Sequence, residues 1–249
     1  MISNSVNLIL QGKGGVGKSF VSSMLAQYFL DYKNISFIGA DTDPVNKSFA
    51  GIERLNVAQI HIMENMNIIQ SKFDDLFERI INLNESTFVI DNGAATFPPL
   101  IKYIDDNGII DMFDEMERPV FIHSIIVGGQ SGNDTLQGLL SLFELIEKSR
   151  NVNLIIWLNE FQGNINFDKK IEKMIANKVA GKVTIKNWNS DAFSSDIERM
   201  TQDRLTLQEV MESSEFNLMA KNRLKRVFND VYIQLDSIFD ISENDVKNA

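Results

Sequence analysis

The chain of 249 residues has no cysteine, four prolines, two histidines and two tryptophans, and no apolar run long enough to cross a bilayer. Without cysteine there is neither a disulfide nor a thiolate metal site. Four prolines leave no proline-rich linker, and with no internal repeat or low-complexity tract a single domain over residues 1–240 is expected, followed by an acidic, disordered tail at 241–249. The two histidines, His61 and His123, lie in apolar, strand-like runs and lack a partner at metal-ligand spacing, so satisfied core or near-surface histidines are expected. Basic residues are also scarce: 24 Lys and Arg against 34 Asp and Glu give a formal charge of −10. That balance argues against a surface that coats nucleic acid, although a local basic patch can coexist with it. The opening "MISNSVNLIL" has no cationic region ahead of its apolar run, which is too short to span a membrane, so a cytoplasmic location is expected.

What is present is alternation. Short β-branched apolar runs at 6–10, 35–40, 61–63, 87–91, 120–127, 153–159 and 182–187 read as strands. Helical periodicity appears at 18–32, 70–83, 133–149 and 219–239. Strands alternating with helices predict an α/β fold with a doubly wound, mainly parallel sheet flanked by helices. Several of the strand runs are apolar throughout, as strands covered on both faces require.

The stretch "LILQGKGGVGKSF" (8–20) satisfies two phosphate-binding patterns at once. Gly12, Gly14 and Gly17 spell G-x-G-x-x-G, the dinucleotide fingerprint, and Asp41 falls where a ribose-binding acid would sit. Gly12, Gly17, Lys18 and Ser19 spell the P-loop. Lys18-Ser19 separates them. A dinucleotide loop has no use for a cation and a hydroxyl at its helix start. A nucleoside triphosphate uses the lysine on its β- and γ-phosphates and the hydroxyl on Mg²⁺. A P-loop also predicts a carboxylate at another strand end, and "STFVIDNG" supplies Asp91 there, with Gly93 able to offer an N–H to a γ-phosphate. The alternative for Asp91 is plain turn chemistry.

Lys13 is required by neither pattern. "KGGVGKS", "DTDP" (41–44) and "DNG" (91–93) together resemble the deviant Walker A loop and switches of the ParA/MinD/nitrogenase-iron-protein ATPases. Over about residues 6–235 the chain is also similar to the TraL proteins of conjugative plasmid transfer, through "DTDPVN", "VIDNGA", the GGQ segment at 128–130, "WLN" and "RLT..E". The resemblance implies a P-loop NTPase that binds ATP and Mg²⁺ and forms a face-to-face homodimer. It implies nucleotide contacts from Gly12, Lys13, Gly14, Gly15, Val16, Gly17, Lys18, Ser19 and Phe20. Lys13 would cross to the partner's phosphates, as an arginine finger does.

By the same resemblance Asp41 contacts the metal's shell with Ser19 and Asp91, and Asp43 orients the attacking water, making Lys13, Lys18 and Asp43 the catalytic set. An Asx-turn before Pro44 explains one of the two aspartates and leaves the pair unexplained. Val45 stands where partition ATPases usually carry Gln. Asn159 would read the adenine edge, with Asn187 a further base-side contact; the alternative for Asn159 is a turn residue after a strand. The basic cluster Lys221, Arg223, Lys225 and Arg226 opens the last helix above an apolar stripe. Packing of that stripe on the sheet is favoured over DNA or membrane binding. The acid-rich stretch 103–119 reads as a solvated helix face or a dock for a basic partner. The function expected is a slowly hydrolysing dimeric ATPase switch with a protein partner in conjugative transfer. The alternatives are a nucleotide-binding scaffold without turnover and a DNA-binding partition ATPase.

Overall fold

Seven parallel strands form the centre of the computed structural model, which describes residues 2–64, 67–188 and 190–246. The first half of the chain contains β1 (Val6–Ile9), α1 (Lys18–Gln27), β2 (Phe37–Asp41), β3 (Ala58–Gln59), β4 (Met63–Glu64), β5 (Asn67–Ile68), α2 (Ser71–Asn82), β6 (Thr87–Asp91), α3 (Phe97–Asp106) and α4 (Ile109–Asp114). The second half contains β7 (Val120–Val127), α5 (Gly132–Ile146), β8 (Val152–Asn159), α6 (Lys169–Ile175), β9 (Val179–Ile185), α7 (Asp191–Gln202), α8 (Leu207–Glu212) and α9 (Leu218–Val246). The sheet runs β3-β2-β6-β1-β7-β8-β9. The chain winds to one side of β1 through β2, β3 and β6 and to the other through β7, β8 and β9. The loops beyond the strand ends therefore diverge beside β1, where open α/β sheets bind ligands.

Period-two alternation divides the core into two layers. Along β7, Val120, Ile122 and Ile126 join one cluster, and Phe121, Ile125 and Val127 the other. The first cluster packs under α2, α3, α4 and α5, and the second under α1, α7 and α9. Leu224, Val227, Phe228, Val231 and Leu235 of α9 are buried against the sheet. Each fully buried apolar side chain is worth about 1.5–3 kcal/mol, so this stripe belongs to the core, as expected. Of the basic cluster above it, Arg223 pairs with Asp196, Lys221 donates to the Met211 carbonyl and Arg226 lies over the Trp188 ring.

Several expectations shift. The helix read over 18–32 is α-helical only to Gln27 and continues as a wider π-helical turn, Tyr28–Tyr32. There the Tyr28 and Tyr32 hydroxyls both donate to Asp236 of α9. No sheet strand occupies 61–63: the edge strand is β3, and β4 pairs with β5 in a separate hairpin. The acid-rich stretch is a solvated helix face, as expected: Asp105, Asp106, Asp111, Glu115 and Glu117 are exposed while Tyr103, Ile104, Ile109 and Phe113 are buried, and only Asp114 turns to the protein, accepting from the Ser149 hydroxyl and the amides of Arg150 and Asn151. α9 continues through Val246 into the stretch read as a tail, whose last residues, 247–249, lie outside the described residues. No helix among the described residues is long and apolar enough to cross a membrane.

His123 is a satisfied core histidine. Its Nδ1 accepts from the Trp157 indole and its Nε2 faces the Asn7 Oδ1, so the ring is neutral with the proton on Nε2. Burial holds its pKa down at about 3. Asn7 in turn donates to the Phe88 carbonyl, so the network crosses β6, β1, β7 and β8.

Candidate functional site

The loop leaving β1 is held from below before it reaches α1. Gln11 is buried, and its amide nitrogen donates to the carbonyls of Ile125 and Thr135. Gly12 rests on the Phe97 ring and Gly14 lies beside Ala94. Gly15 has φ +73° and its carbonyl accepts from the Gln162 amide at 2.6 Å. Val16 is buried, and its carbonyl accepts from Asn159 Nδ2 at 2.9 Å. Gly17 caps α1 with φ +100°, and a Cβ there would also meet Asn159 Nδ2 at 3.0 Å. The result is a preorganised ring of backbone amides at a helix N-terminus, a natural anion site.

The two lysines of the loop point to different places. Lys18 is 8% exposed, and its Nζ donates to the Lys13 carbonyl at 2.9 Å. Burial lowers its pKa, against the pull of Asp91 and Asp43. Lys13 is turned outward, where its Nζ meets Asp134 Oδ2 of α5 at 2.7 Å in a pair exposed by 39% and 58%. Phe20, one turn into the helix, packs edge-on against Phe228 of α9.

Parallel register brings the acids level: Asp41 lies opposite Asp91, and Asp91 opposite Ile9 at the root of the loop. Asp91 is 1% exposed and burial pushes its pKa up to about 7, with the Ser19 and Ser22 hydroxyls opposing and the Asp41 charge reinforcing the shift. Its Oδ1 is buried with no hydrogen-bond partner among the described residues. An orphaned carboxylate oxygen beside a hydroxyl and a second acid is a donor set that suits a hard, oxygen-seeking divalent cation.

The switch aspartates are both turn formers. Asp41 Oδ1 accepts from the Asp43 amide at 2.9 Å, and its Oδ2 from the Phe49 and Ala50 amides at 3.2 and 3.0 Å. Burial raises the pKa of Asp41, and these amides oppose the rise. Asp43 Oδ1 accepts from the Val45 and Asn46 amides, and Asp43 sits against Gly93, where a Cβ would approach its Cγ to 2.8 Å. The turn explanation thus covers both aspartates and not one, because each carboxylate faces different amides of the same loop. Val45 is 74% exposed on that loop.

Asn159 lies under the loop, with its Oδ1 accepting from the Phe161 amide as its Nδ2 holds Val16. The Asn187 amide donates to Glu160 Oε2 at 3.2 Å, next to the same turn. Residues that sequence reasoning missed complete the frame. Asn92 Oδ1 accepts from the Thr42 and Thr96 hydroxyls, joining the loops after β2 and β6, and Gln59 Nε2 holds the Asp43 carbonyl. Asn92 stands inside the DNG motif, whereas Gln11, Gln59, Asp134 and Gln162 carry no local signal, since single amides and acids occur throughout the chain. Among the described residues no group of three or more His, Cys, Asp or Glu could hold a metal by itself, so a divalent cation here depends on a ligand supplying further oxygens.

Residues 8–225 match the family described as the CobQ/CobB/MinD/ParA nucleotide binding domain. Two Escherichia coli proteins named TraL are similar at 35% and 33% identity, each over 93% of this chain and 97% of its own length. Among solved structures, a plasmid partition protein from Borrelia burgdorferi is 17% identical and covers 81% of this chain and 97% of its own, with a TM-score of 0.44. That overlap is too loose to add to what the sheet order shows.

Proposed function

Because this chain belongs to the CobQ/CobB/MinD/ParA nucleotide-binding family, we propose that it is a MgATP-dependent switch that dimerises through its loop face and hydrolyses ATP slowly. One observation carries the reading: the two lysines of a single loop are divided, Lys18 buried at the phosphate ring and Lys13 turned outward. An exposed ion pair is worth about 0–1 kcal/mol. Lys13 can therefore exchange Asp134 for the phosphates of a second subunit at little cost.

Ser19, Asp41 and Asp91 are the residues that would hold Mg²⁺. Bound there, the ion offsets phosphate charge in a site that otherwise crowds acids together. Backbone amides of residues 12–20 bind and orient the phosphates, and Lys18 lies against them. Asp43 orients the attacking water, with Gly93 behind it. The base lies toward Asn159 and Asn187, at the ends of β8 and β9. Likeness to TraL supports a role in conjugative plasmid transfer, positioning or regulating a protein of the transfer machinery.

A rival reading, a scaffold that binds nucleotide without turnover, draws on Asp43 Oδ1 being engaged by two loop amides. Sizing chromatography with AMPPNP tests the switch: wild type elutes as a dimer, Lys13→Ala stays monomeric yet binds nucleotide, and Lys18→Ala loses binding. A Lys13→Ala protein that still dimerises refutes the trans role of Lys13. Phosphate release that is unchanged in Asp43→Ala refutes the catalytic role of Asp43.

A further inference from the structure

The "RLT..E" stretch has no role in the site described above, yet it is built against it. α7 ends in a Schellman motif, in which the Arg204 amide donates to the Thr201 carbonyl and the Leu205 amide to the Met200 carbonyl. Such an ending places one residue in the left-handed region, normally a glycine. Here that residue is Arg204, with φ +55°. The other non-glycine residues with positive φ among those described are Asn4, Asn34 and Asn56, and asparagine is the side chain that best tolerates this region. Backbone geometry alone favours Gly or Asn at 204, so the turn itself does not account for an arginine there.

The guanidinium lies across the turn 47–51. A Cβ on Gly51 would meet the Lys47 carbonyl oxygen at 2.5 Å, which demands glycine there, and Arg204 Nη1 at 2.8 Å and Cδ at 3.0 Å, so the arginine lies close over the turn. No carboxylate pairs with Arg204 among the described residues. The turn it covers carries the Phe49 and Ala50 amides that grip Asp41 Oδ2. Beneath it, a small cavity of about 90 Å³ has mixed walls, with Ser19, Ser48 and Thr201 on one hand and Phe20, Ile52 and Met200 on the other. The corner is fixed on its far side as well: Thr206 and Glu209 form a capping box, and the Leu207 amide donates to Gln27 of α1 at 2.6 Å. Arg204 is exposed and lies over the turn from a corner anchored to the helix that carries Lys18 and Ser19.

We propose that Arg204 is a positioning residue of the nucleotide site: by bracing the 47–51 turn it fixes Asp41 for the Mg²⁺ of bound MgATP. The proposal rests on the MgATP reading of the site and assigns Arg204 no direct contact with the nucleotide.

The test is Mg²⁺ titration of fluorescent-ATP binding in wild type, Arg204→Gly, Arg204→Ala and Arg204→Lys, with melting temperatures for each. Glycine suits the left-handed backbone, so Arg204→Gly should melt no lower than wild type. Its Mg²⁺ midpoint should nevertheless rise about threefold or more, the scale on which residues outside a site modulate it. Arg204→Ala should show the same rise, and Arg204→Lys a smaller one. Nucleotide affinity without Mg²⁺ should stay unchanged, because the loop and Lys18 are intact. A midpoint in Arg204→Gly within twofold of a Mg²⁺-dependent wild type overturns the proposal alone. A wild type whose binding ignores Mg²⁺ overturns the reading of the site, and the proposal with it.

Discussion

Replacing Asp91 with Asn should stabilise the ligand-free protein and disable it. The folded carboxyl titrates at about 7 against an ordinary 3.8, chiefly because it is buried. As pH rises from about 4 to 7, the unfolded chain gives up this proton while the folded chain keeps it, so stability falls through that window and levels off above it. At about 1.36 kcal/mol per pH unit, the full loss is on the order of 4 kcal/mol. Asn is nearly isosteric and carries no such proton. Between pH 5.5 and 8 the stability gap between Asp91→Asn and wild type should widen by about 2 kcal/mol in favour of the variant. Urea denaturation read by the fluorescence of buried Trp157 measures it. Added MgATP should reverse the order, stabilising wild type far more than the variant. A gap that does not change with pH would refute the account of Asp91 as a buried acid awaiting a cation.

Freeing Lys13 by Asp134→Asn should favour the ATP-bound dimer. Each exposed pair is worth roughly 0.2–1 kcal/mol, and two break per dimer, so mass photometry with AMPPNP should show association about 2- to 30-fold tighter. The gain should shrink near 1 M salt, and unchanged or weaker association would count against the exchange. His123, held at about 3 by burial, stays neutral in the folded chain while the unfolded chain takes up a proton below about 6.5. Stability should therefore fall as pH drops below 6.5. His123→Gln should flatten that slope by about 1 kcal/mol between pH 6.5 and 5.5, and an unaltered slope would show that another group titrates there.

Regular elements were readable where period and burial agree. The runs 87–91 and 120–127 match β6 and β7 residue for residue, because strands covered on both faces are apolar throughout. The helices α6, α7 and α8 were not readable: the buried face of α6 is Ile175 alone, that of α7 Met200 alone and that of α8 Val210 alone, too little for a helical period to show. Tyr28–Tyr32 continued the helical period, but the Lys33 amide bonds to the Tyr28 carbonyl five residues back, which marks a widened turn rather than more α-helix.

The sequence by itself determined the phosphate-loop pattern, the Lys18-Ser19 pair that sets it apart from a dinucleotide fingerprint, and the acid at the end of β6. These are local matters: a strand, a glycine turn and a helix start occupy neighbouring residues, and their spacing is their geometry. Only the tertiary structure decided who holds whom. Asn159 supports Val16 from 143 residues away, Asp134 holds Lys13 from 121 residues away, and Arg204 lies across Gly51. Sheet order brings such pairs together, and it is set by how the whole chain buries its two apolar faces. No stretch of the chain short enough to read as a motif contains both partners.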